Sequence, residues 1–221
     1  MALFDEEKRN IIRAFYIPLF LLYLIWVIKI IEFLGGISFS DYGIYPRRIE
    51  GLIGIICAPL LHASFGHLIN NSAPLVILTA SILYFYRSVA LKVIILIWVI
   101  TGLCVWIGAR SAYHIGASGI IYGDAAFIFF SGAIRKNIKL LAISLMTVFL
   151  YGGMIWGIFP IDMKISWESH LFGGLTGMIL AFIYAGKEPV TEEKVWEEDP
   201  DEYPYWEETE EEDHENKNLP I

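Results

Sequence analysis

The chain has 221 residues, of which 56% are hydrophobic, and a mean hydropathy of +0.56; this is too apolar for an ordinary soluble domain and indicates a polytopic membrane protein. The formal net charge of −8 is unevenly placed, because residues 187–221 hold 15 acids against 3 bases and leave 13 bases against 9 acids in the body, a mildly basic balance suited to anionic lipid. Nucleic-acid binding gains no support from this distribution, and Cys57 and Cys104 lie in apolar surroundings without ligand spacing, which disfavours redox and structural-zinc roles.

Asp5, Glu6 and Glu7 make the N-terminus too acidic for a signal peptide, so the first apolar run is expected to stay in the bilayer as an anchor. Six stretches are long and apolar enough for transmembrane helices, at about residues 15–34, 67–86, 89–108, 117–134, 138–158 and 168–186. Residues 35–66 form a long first connection, too irregular for another span and too apolar for a plain solvated loop. The expected architecture is therefore all-α, a six-helix membrane domain over residues 15–186. A cytoplasmic segment at 1–14 precedes it, and an acidic, disordered cytoplasmic tail at 187–221 follows. With the N-terminus inside, ten bases face inward against Arg47, Arg48, Arg110 and Lys164 outside, which places both termini in the cytoplasm. The heads of spans two, four and six then share the outer side, and with them His67, Ser118 and His170.

Ser118 stands in a glycine turn with Gly116 and Gly119, where the backbone can bend sharply and a substrate carbonyl can approach. A serine hydroxyl needs a base to act as a nucleophile, and donors to hold the oxyanion that follows. Such a turn also fits close helix packing, so it carries little alone. His170 is followed by Gly173 and Gly177 on the same helical face, which clears side chains from beneath the imidazole and lets its helix approach a neighbour. Tyr122, four residues after Ser118, can pack its ring on His170. Asp124 lies about 240° round the helix from Ser118 and roughly 9 Å along it, so a Ser-His dyad is expected, with Asp124 held by a structural hydrogen bond. His67 and Asn71, at i and i+4, can both donate toward an oxyanion. His62 is about 140° off that face and is expected to brace the incoming loop. Zinc is disfavoured because the spacing of His62 and His67 does not put two imidazoles on one helical face beside a glutamate base; no metal or cofactor is expected. His114 is expected in a loop, solvated or capping.

With His62, His67 and Asn71 as HxxxxHxxxN, Ser118 in GxSG with Tyr122 following, and His170, Gly173 and Gly177 as HxxGxxxG, the chain resembles the rhomboid intramembrane serine proteases over about residues 15–186. The resemblance implies a six-helix bundle whose dyad opens outward through a water-filled cavity. Ser118 would be nucleophile, His170 base and then acid, and Asn71, His67 and the Ser118 amide would surround the oxyanion. Substrates would be single-span transmembrane proteins in the lipid bilayer, and residues 159–163 are similar to the family's mobile cap. The family's Trp-Arg pair in the first loop is missing, since Gly54 and Ile55 occupy that stretch and Arg47 and Arg48 lie further upstream. Anchoring of that loop therefore does not carry over. The rival reading is a rhomboid-like pseudoprotease that binds transmembrane helices without cutting; a transporter is disfavoured by the lack of an internal repeat.

Overall fold

The computed structural model describes residues 2–150, 156–161 and 165–187. The described residues form seven α-helices: α1 Ala2–Gly35, α2 Gly54–Cys57, α3 Phe65–Phe85, α4 Ala90–Gly108, α5 Ser118–Arg135, α6 Ile138–Leu150 and α7 Trp167–Ile183. No strand occurs among them, and the single extended pairing joins Ile44 to His114. Glu6–Gly35, Phe65–Phe85 and Ala90–Gly108 are long and apolar enough to cross a bilayer. The exterior is apolar, with Leu34, Ile107, Phe149 and Ile183 exposed, the arrangement suited to a hydrocarbon solvent.

α5 is the centre of the bundle, packing on α3, α4, α6 and α7. Its inward residues include Ile120, Ile121, Phe127 and Ile128, each at most 2% exposed. A helix surrounded by other helices can carry Ser118, Asp124 and Ser131, because protein replaces lipid around them. α5 and α7 approach most closely, and glycines permit it. A Cβ on Gly173 or Gly177 would fall closer than 3.0 Å to the carbonyl oxygens of Gly119 and Gly123 respectively.

Three boundaries differ from the sequence reading. α1 begins at Ala2, so residues 2–14 continue the first span as one helix; nothing between Glu6 and Arg13 breaks it, and Pro18 is accommodated inside it. α6 is described only to Leu150, and Trp156–Ile158 form a 3-10 turn instead of further α-helix. The last helix ends at Ile183. The part of the expected cap at Asp162 and Met163 and the tail beyond Lys187 lie outside the described residues.

Residues 36–64 run as short turns against α4, in keeping with an irregular first connection. Their anchors are specific to this chain. The Trp98 and Trp106 indoles donate to the carbonyls of Ile55 and Arg48, each at 2.8 Å. Arg47 donates to the carbonyls of Ala109 at 2.8 Å and Ile107 at 3.3 Å, satisfying the C-terminal end of α4, which has no carbonyl partners of its own. At the far side Lys29 pairs with the buried Glu32 at 3.1 Å and donates to the His62 carbonyl at 2.8 Å.

Candidate active site

Ser64 caps α3 by accepting from the His67 amide at 3.1 Å, which fixes where that helix starts and puts His67 in its first turn. Ser118 is the first residue of α5, and His170 lies in the first turn of α7. These three helix starts meet round a cavity of about 70 Å³ lined by His67, Arg110, His114, Ser118, Ser166 and His170, among others. Ser118 and His170 are both 7% exposed.

His170 Nε2 lies 2.7 Å from Ser118 Oγ, and Nδ1 lies 2.8 Å from the Gly157 carbonyl oxygen. A carbonyl accepts and cannot donate, so Nδ1 carries the proton and Nε2 is left to accept from the serine hydroxyl. The Tyr122 ring stacks on the imidazole with centroids 4.2 Å apart and an interplanar angle of 5°. The third member of the unit is thus a backbone carbonyl. Asp124 instead takes the Thr79 hydroxyl at 2.6 Å, in the structural role expected of it, with Oδ1 unpartnered among the described residues.

Gly157 was not visible as a site residue from its sequence surroundings. A side chain there would fall closer than 3.0 Å to Tyr122 Oη and to His170 Nδ1, so only glycine lets the carbonyl reach the imidazole. Gly116 has φ +121°, a backbone conformation that favours glycine, and a Cβ on it would press on the His67 ring at 2.7 Å. Its amide donates to the Ala58 carbonyl at 2.8 Å, tying the first connection to the serine turn. Gly119 lies inside α5 and faces Thr101 and the Ser169 carbonyl, so it serves helix packing.

His67 lines the cavity, and Asn71, one turn further along α3, donates from Nδ2 to His62 Nε2 at 3.0 Å. His62 braces the loop as expected, through Asn71, with the Ala117 amide 3.5 Å from the same ring nitrogen. Burial pushes the His62 imidazole down to about 3, helped by His67 close by, which keeps it neutral and able to accept. The second proton of the Asn71 amide remains available for a ligand.

His114 is a correction: it is 2% exposed rather than solvated, with Nε2 on the Arg110 carbonyl and Nδ1 on Ser166 Oγ. Burial lowers its pKa as well. Glu168, unremarked in the sequence, is 4% exposed and pairs with Arg110 at 2.9 Å. Its position in the first turn of α7 was the available signal, because carboxylates are favoured at a helix N-terminus. Cys57 and Cys104 are half-buried and unpaired.

The family model for the rhomboid domain matches residues 50–187, more than half of the chain. Uncharacterized proteins of Mycobacterium bovis and Mycobacterium tuberculosis are each 32% identical to it over 174 residues, which is 75% of this chain and 72% of theirs. One from Mycobacterium leprae is 31% identical over 178 residues, 76% of this chain and 70% of its own. Together with the apolar helices these matches make it an integral membrane protein, and the chain belongs to the rhomboid family.

Proposed function

We propose that the protein is an intramembrane serine endopeptidase that cleaves transmembrane segments of single-span membrane proteins, with Ser118 as nucleophile and His170 as general base. The 2.7 Å approach of Ser118 Oγ to His170 Nε2, inside a cavity with polar walls, carries this reading. Ser118 Oγ attacks the scissile carbonyl while its proton passes to Nε2, and the Gly157 carbonyl steadies the imidazolium through Nδ1–H. The oxyanion faces the Ser118 amide, which has no partner within its own helix, together with donors from His67 and Asn71. His170 then returns the proton to the leaving amine, and water repeats the sequence on the acyl-enzyme. Asp124 takes no part.

The ten-to-four distribution of bases supports a dyad opening to the outer side of a bacterial cytoplasmic membrane with both termini inside. The acidic composition of residues 187–221 supports a cytoplasmic tail that follows a membrane domain over 15–186. A substrate helix must unwind to expose a carbonyl, so cleavage is expected near the outer end of the helix, at small or helix-breaking residues.

Purified protein is tested on a model transmembrane substrate against Ser118→Ala and His170→Ala, with fluorophosphonate labelling of Ser118 in parallel. Both variants are expected to lose cleavage, and labelling is expected to need His170. Unchanged cutting by Ser118→Ala would overturn the nucleophile. A folded wild type that neither cuts nor labels would favour a member that binds helices without cleaving them.

A further inference from the structure

Arg110, in the connection between α4 and α5, stands eight residues before Ser118, and Glu168 stands two residues before His170. The Arg110 guanidinium Nη1 donates to both Glu168 carboxylate oxygens, at 3.0 and 2.9 Å. The Arg110 amide reaches the same carboxylate at 3.3 Å, and Nη2 donates to the Ile165 carbonyl at 2.8 Å. A second tie runs beside the first. His114 Nε2 donates to the Arg110 carbonyl at 3.0 Å, so Nδ1 is the bare nitrogen and accepts the Ser166 hydroxyl at 2.6 Å. Ser166 Oγ then accepts the Ser169 hydroxyl at 2.6 Å.

Both ties join the segment leading into the serine to the start of the helix that bears the histidine. We infer that Arg110 and Glu168, supported by His114 and Ser166, are positioning residues: a clasp that fixes the roll of α7 and so the reach of His170 to Ser118. This deepens the protease reading above and rests on it.

The physical need comes from the α5–α7 seam. Gly119, Gly123, Gly173 and Gly177 let the two backbones nearly touch, but a seam without side chains has no knobs to resist rotation. Residues 168 and 170 are about 200° apart round the helix, so a tie at Glu168 holds α7 from the side opposite the imidazole. The guanidinium is planar and rigid, so holding Nη1 on both carboxylate oxygens and Nη2 on the Ile165 carbonyl defines orientation as well as distance. With Glu168 buried and Arg110 half-buried, the pair adds little net stability over apolar packing, and its distinctive contribution is geometry.

The test combines kcat and KM on a model transmembrane substrate with the 15N signals of the His170 ring by NMR. Glu168→Gln, which keeps the shape and removes the charge, is expected to lower kcat by about 10- to 100-fold with KM within about 2-fold, and to shift the His170 signals. Arg110→Lys keeps the charge without the fork and is expected to lose about 10-fold. The double variant Arg110→Glu/Glu168→Arg is expected to recover at least about 10-fold over Glu168→Gln and to return the His170 signals toward wild type. Wild-type kcat with unmoved signals in Glu168→Gln would overturn the clasp, as would a double variant that recovers nothing. If the wild type itself does not cut, the protease reading fails, and the signals still decide: shifted in Glu168→Gln they uphold the clasp, unmoved they overturn it.

Discussion

Gly173→Ala sets the seam between α5 and α7 against its neighbour in sequence. A methyl group on Gly173 would lie closer than 3.0 Å to the Gly119 carbonyl oxygen and at 3.0 Å from the carbonyl carbon, where ordinary contact begins at 3.4 Å. Both partners are backbone and neither can swing aside, so the helices must part by about 1 Å. His170 is one turn away on α7, and Ser118 is beside Gly119 on α5. The same separation stretches the 2.7 Å link between Ser118 Oγ and His170 Nε2 beyond a useful hydrogen bond. Overpacking of this kind costs about 1–3 kcal/mol in stability, and a misplacement of about 1 Å at a reacting pair costs on the order of 100-fold in rate. Gly174 is the control, since a Cβ there meets nothing within 4 Å. Steady-state cleavage and thermal unfolding of both variants in the same detergent are the assay. Gly173→Ala should lose about 100-fold in kcat and several degrees in Tm, with Gly174→Ala close to wild type. Equal behaviour of the two, or a Gly173→Ala enzyme that cuts normally, would refute the reasoning.

Gly157→Ala should slow fluorophosphonate labelling of Ser118 by about 100-fold with little change in Tm, because the methyl group displaces the carbonyl that holds His170 Nδ1; a wild-type labelling rate would show that this carbonyl is dispensable. A pH series of Tm tests His62, whose imidazole falls from 6.5 to about 3 on folding and therefore binds its proton more readily in the unfolded chain. Stability from this group is fully present above pH 6.5 and declines as pH falls toward 3. His67, 5.0 Å away, and Lys29, bonded to the His62 carbonyl, face it and oppose its charging. His62→Gln, which can still accept from Asn71, should flatten the decline; an unchanged slope would assign the acid sensitivity elsewhere, His114 first.

Residues that act through type and spacing were legible in the chain. Ser118 is marked by the turn that Gly116 permits, and His170 by Gly173 and Gly177, because glycine at fixed helical offsets means close approach. Tyr122 follows from the same periodicity, and helical geometry excluded Asp124 from the dyad. The partner of Asn71 was less legible: i and i+4 spacing put it with His67, but the turn before α3 brings His62 round to take its amide. Boundaries suffered likewise, as acidic and basic residues ahead of the first apolar run continue α1 without altering its period.

By itself the sequence determined an apolar, all-helical membrane chain with a serine and a histidine at matching ends of two glycine-bearing helices. Those properties depend on local periodicity and on the cost of placing polar groups in lipid. Only the tertiary structure decided which backbone carbonyl faces His170, how Arg47 and two indoles tie down a first loop without the family's usual pair, and that Arg110 meets Glu168. Each of these joins residues far apart in the chain through a carbonyl or a charge that any residue of its kind could supply. The information that selects them lies in how the helices pack.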